Sequence, residues 1–112
     1  MKTKIITTLL AIGTITLAAS VATAADAKEL WDKNCASCHG KDGRGQTKMG
    51  AKTGVKDYTD AKVQEAMKDD VAFKSVKDGL KEKDKELMKP FAEKLTDDEI
   101  KSLIAYVRTF KN

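Results

Sequence analysis

The stretch NCASCHGKDGRG, Asn34 to Gly45, holds both cysteines of the chain and its only histidine, with Cys35, Cys38 and His39 inside five residues. Two thiols and an imidazole so close together suit four chemistries: a disulfide, a redox thiol pair, a zinc site, or covalent haem attachment. A Cys35–Cys38 disulfide closes a loop of very few residues, and stabilisation of that kind shrinks with loop length. Thiol exchange uses C-x-x-C at a helix N-terminus beside a strand, where the dipole lowers the thiol pKa. Here Cys35 falls at the end of a predicted helix in a chain without strand alternation. Zinc takes four ligands, usually as two separated pairs, and the chain has no second pair. Haem attachment needs the pattern as it stands. The two thiols lie on one side of the chain and add to the vinyl groups, and the next residue, His39, is held under the iron.

The sixth iron ligand separates an electron carrier from a ligand-binding haem protein, because an open position binds gases or peroxide. With no second histidine, methionine is the candidate. Met67 falls on the apolar face Val63–Ala66–Met67 and reads as core filler. Met49 lies in a glycine-rich loop ten residues after His39, a reach that distance alone does not exclude. Met88 follows a charged run in irregular chain just before Pro90, which cannot continue a helix and leaves the thioether free to turn inward.

These residues need elements to carry them, and the pattern predicts helices. Asp26 to Glu29 is a capping-box pattern opening a first helix with Ala27, Leu30 and Trp31 at helical spacing. Gly40–Gly54 contains five glycines and no periodicity, and reads as loop. A second helix is expected from Thr59 or Asp60, and a third after Asp69 that stops at Gly79. KEKDKE, Lys81 to Glu86, reads as an exposed charged loop. Thr96–Glu99 is a second capping box, followed by the stripe Ile100, Leu103, Ile104 and Val107. The predicted class is all-α.

The N-terminus reads as an export signal. Lys2 and Lys4 precede the uncharged run Ile5–Leu17, and the small residues after it end in Ala22-Thr23-Ala24, an A-x-A cleavage pattern. The alternative is an uncleaved membrane anchor, since Ile5–Ala25 is 21 residues long. Five threonines dilute that run, which favours a secretory signal peptide over residues 1–24, cut after Ala24 or Ala25. The protein is then expected in the periplasm, with one domain over residues 25–112. That domain carries 19 basic and 17 acidic residues, a balance too even for a nucleic-acid partner. Its 88 residues include six aromatics. So small a core commonly needs an extra element, which a haem macrocycle supplies.

With these features the chain resembles the class I cytochromes c, small monohaem electron carriers. CASCH, GKDGRG and LMKPFAEKLTDDEIKSLIAYVRTF carry the resemblance, which spans the whole mature part. It implies one covalently bound haem c on Cys35 and Cys38, with His39 and Met88 as the axial ligands. Lys89 departs from the family's Met-Pro pair, while the spacing from methionine to Phe91 is kept. The family fold packs the first and last helices together, which places Leu30 and Trp31 against Leu103, Tyr106 and Val107. The implied function is one-electron transfer, not enzymatic catalysis, between redox partner proteins met transiently, membrane-bound complexes among them. The alternatives are a haem subunit of a larger oxidoreductase, or a ligand-binding sensor if Met88 is displaceable. The basic residues of 41–56 against the acidic segment 57–73 suggest an acidic partner surface.

Overall fold

Local capping residues set where the helices begin and end. The computed structural model describes residues 11, 13–15 and 24–112. Along the chain come α1 (Ala24–Asn34), α2 (Ala36–His39), α3 (Lys48–Thr53), α4 (Ala61–Ala66) and α5 (Asp69–Asp78). The strands β1 (Leu80–Glu82) and β2 (Lys85–Met88) follow, and α6 (Asp97–Arg108) closes the fold. The expected leader, residues 1–24, lies outside the described residues apart from 11, 13–15 and 24. Among the described residues no helix is long and apolar enough to cross a membrane.

The last helix follows its sequence signal. Thr96 accepts from the Glu99 backbone N–H, and the Glu99 carboxylate accepts from the Thr96 N–H, closing the capping box. Its stripe Ile100, Leu103, Ile104 and Val107 is buried. With Trp31, Cys35 and Leu95 these residues form the core, against which Leu30, Tyr106 and Phe110 pack. Helices α1 and α6 therefore pack on each other, as the family resemblance implied. Each fully buried aliphatic side chain there contributes roughly 1.5–3 kcal/mol.

Three local expectations are corrected. Helix α1 already runs from Ala24, so Asp26 sits inside the first turn, where its charge suits the helix dipole, and not at the cap. The glycine-rich segment is not all loop. Thr47 caps α3 by accepting from Gly50 N–H, and Gly54, at φ 72, ends it in the left-handed conformation. Lys81–Glu86 is exposed as expected, but it is a hairpin: β1 and β2 pair antiparallel through a turn at Lys83 and Asp84, both at positive φ. Six charges in a row hide the alternation that marks a strand, because both faces are solvated. Met88 is thus the last residue of a strand, not part of irregular chain. The class remains helical, with one two-stranded hairpin among the described residues.

Candidate functional site

Helix α1 delivers the motif. Asn34 ends it, Cys35 N–H still donates to Trp31 C=O, and α2 continues the turn so that His39 N–H donates to Cys35 C=O at 3.0 Å. Cys35 and Cys38 therefore share one side of a helical turn, and both are free thiols. Cys35 is buried in the core cluster. Burial first, and then the neighbouring Cys38, pushes its thiol pKa up to about 12. Such a thiol is not poised as the exposed thiolate that exchange chemistry uses. A thioether suits this wall, since it carries no charge to desolvate. Among the described residues no group of three or more His, Cys, Asp or Glu side chains is placed to hold a metal ion.

His39 is fixed by packing. Its ring lies 5.5 Å from the Trp31 ring and 5.5 Å from the Tyr58 ring, the latter stacked at 29°. Burial lowers its pKa, favouring the neutral imidazole that binds metals. Its Nδ1 is buried without a hydrogen-bond partner among the described residues. Trp31 is itself held by the core and by Nε1 donating to Gly40 C=O at 2.9 Å.

Helix α3 closes over the motif. Thr47 Oγ1 donates to Cys38 C=O at 2.6 Å, and a Cβ at Gly50 would lie 2.5 Å from that same carbonyl oxygen. Only glycine permits this approach. Across a cleft of about 480 Å³ stands the hairpin, with Leu87 facing Ala51 and Thr53 of α3. Helix α3 and strand β2, which carry Met49 and Met88, thus flank one cleft, with neither methionine in its lining. Met49 is on α3 and exposed, whereas Met88 is half-buried at the end of β2. Met67 packs against the core, as its helical spacing suggested.

The backbone around Met88 is tied to α5. Gly79, at φ 80, lets the chain turn so tightly that a Cβ there would lie 2.7 Å from Met88 C=O. Phe91 N–H donates to Val76 C=O and Ala92 N–H to Lys77 C=O. Sequence reasoning named Cys35, Cys38, His39 and Met88, of which the first three share one helical turn, and it did not single out Tyr58 or Thr47. Neither has a spacing to the motif that a sequence pattern encodes. Trp31 was read only as core, although its spacing of four from Cys35 puts it directly under the motif.

The residues present fit a covalently held haem: two unpaired thiols on one helical turn, with an imidazole next in sequence that is packed between two aromatic rings. A family model described as cytochrome c oxidase, cbb3-type, subunit III matches residues 22–107. The solved structure of the KustC0563 c-type cytochrome is 35% identical, superposes with a TM-score of 0.69, and the match covers 77% of this chain and 98% of that one. A mutant of the same protein, tyrosine changed to phenylalanine, gives 36% identity, a TM-score of 0.67 and coverage of 77% and 99%. No curated protein matches the chain.

Proposed function

Since the chain belongs to the family described as cytochrome c oxidase, cbb3-type, subunit III, and is thereby a c-type cytochrome with covalently bound haem c, we propose that it is a soluble, exported one-electron carrier. In this reading Cys35 and Cys38 hold the haem, and His39 and Met88 are its axial ligands. The observation that carries it is the aromatic-clamped His39 on the same turn as two free, partly or fully buried thiols. Bound there, the haem supplies an iron that exchanges single electrons.

The chain's own residues supply rigidity. Trp31 and Tyr58 restrain the imidazole, while Gly79 and the two backbone bonds to α5 restrain the Met88 segment. Ligands held alike in both oxidation states need little rearrangement when an electron arrives. A thioether ligand also raises the potential relative to a second imidazole. Nδ1 of His39 is buried, and in this reading Nε2 is the nitrogen that would bind the iron. The partners are redox proteins met transiently through the exposed basic residues Lys41, Arg44, Lys48, Lys52 and Lys56.

Absorption spectra of the reduced holoprotein, with and without carbon monoxide, test this reading. A six-coordinate spectrum unchanged by carbon monoxide is expected. Ready binding of the gas would replace the carrier with a ligand-binding protein. Export is supported by the Ala22–Ala24 pattern and tested by intact mass, which should begin at Ala25 or Asp26. The family description favours a second reading, a haem subunit of a larger oxidoreductase. Gel filtration of the holoprotein from its native membranes and soluble fraction separates the two.

A further inference from the structure

The peptide that joins Cys38 to His39 is one rigid plane, with the Cys38 C=O on one side and the His39 N–H on the other. The N–H is satisfied within the turn, donating to Cys35 C=O at 3.0 Å. The carbonyl is not, because it lies at the end of α2, where the last carbonyls of a helix have no intrahelical partner. Its neighbours are served by the backbone: Ala36 C=O accepts from Gly40 N–H, and His39 C=O from Gly45 N–H. No backbone N–H among the described residues donates to Cys38 C=O.

Thr47 serves it from nine residues away. Its Oγ1 donates to Cys38 C=O at 2.6 Å and accepts from Gly50 N–H at 2.8 Å, so one hydroxyl joins the motif turn to α3. A hydroxyl can do both, because it has one proton and two lone pairs. Gly50 packs on the same carbonyl: a Cβ there would lie 2.5 Å from the Cys38 oxygen and 2.6 Å from that of Gly45. Thr47 and Gly50 thus cover the Cys38 carbonyl from α3, and a covered carbonyl is costly to leave without a donor. Capping α3 uses only the acceptor half of the hydroxyl. The donor half acts on the motif.

We propose that Thr47 is a positioning residue for the haem-attachment turn, holding the Cys38–His39 peptide plane and so the place of the second thioether relative to the imidazole. This rests on the reading of Cys38 as a haem thioether. Thr47→Ser keeps both bonds, Thr47→Asp keeps the cap but as a carboxylate has no proton to donate, and Thr47→Val loses both. Resonance Raman of the ferrous holoprotein reads the out-of-plane distortion of the macrocycle, which is one lever on haem potential. Thr47→Ser is expected to give wild-type lines and midpoint potential. Thr47→Val should shift both, and Thr47→Asp should shift the out-of-plane lines as Thr47→Val does. If Thr47→Val yields no holoprotein, Thr47→Asp carries the same test. Wild-type lines in Thr47→Asp, or wild-type lines and potential in a Thr47→Val protein that merely melts earlier, would overturn the proposal and leave Thr47 a helix cap. Peptide mass spectrometry of the wild-type holoprotein checks the reading beneath it: haem absent from Cys38 would overturn that reading before any variant is made.

Discussion

Met88 and Met49 pose the sharpest question at the scale of single residues, because they stand on elements facing each other across one cleft. Met88 is half-buried, its carbonyl packs close against Gly79 and the chain just after it is bonded to α5 through Phe91 and Ala92, whereas Met49 is 47% exposed on a short helix. A ligand must be held in place against exchange with water, and the pinned residue meets that requirement. Met88→Ala is expected to lower the midpoint potential and let the ferrous protein bind carbon monoxide. Met49→Ala should change neither property. Carbon monoxide titration of both variants decides the assignment, and the reverse outcome transfers the ligand role to Met49.

Among the elements, the hairpin is the one whose geometry its sequence serves least well. Lys83 and Asp84 occupy φ 48 and φ 67, the mirror-image turn that joins tightly paired strands. Aspartate tolerates that region, but lysine is strained there by about 1–2 kcal/mol. Replacing the pair by Asn-Gly, the preferred residues for this turn, should relieve part of the strain. Holoprotein carrying Lys83→Asn and Asp84→Gly is expected to melt higher, with an unchanged absorption spectrum. A lower melting temperature would mean that the exposed Lys83 and Asp84 side chains contribute more than the turn costs.

For the molecule as a whole, the core is a single small cluster between α1 and α6, and Cys35 is one of its members. A macrocycle held at Cys35 would add apolar surface to that core. Chains of this size bury too little surface for a comfortable margin. Cys35→Ala with Cys38→Ala should therefore leave the chain largely unfolded, seen as lost helical circular dichroism and rapid proteolysis. Cooperative melting of that double variant would show that the side chains suffice. The surface makes a second prediction. Residues 41–56 carry five exposed basic side chains against Asp42, and the following segment, 57–73, has five acids against two lysines. Electron-transfer rates with a physiological donor should fall as ionic strength rises, because screening weakens steering between opposite charges. Stopped-flow rates that stay flat or rise with salt would remove the basic segment from the docking surface.

Sequence by itself determined the chemistry and the frame. Cys35, Cys38 and His39 act through a spacing of three and one residues, which a helical turn preserves wherever it lies. The α6 stripe and its capping box are equally local, and they appear as read. Tertiary structure alone decided what surrounds the imidazole. Tyr58 reaches the site only because the chain before α4 folds back to Gly43, to whose C=O the Tyr58 N–H donates, and no periodicity along the chain encodes that meeting. The hairpin was hidden for a related reason. A strand announces itself through one buried face, and residues 81–86 bury neither, so their pairing rests on the turn and on the closure of Gly79 against Met88.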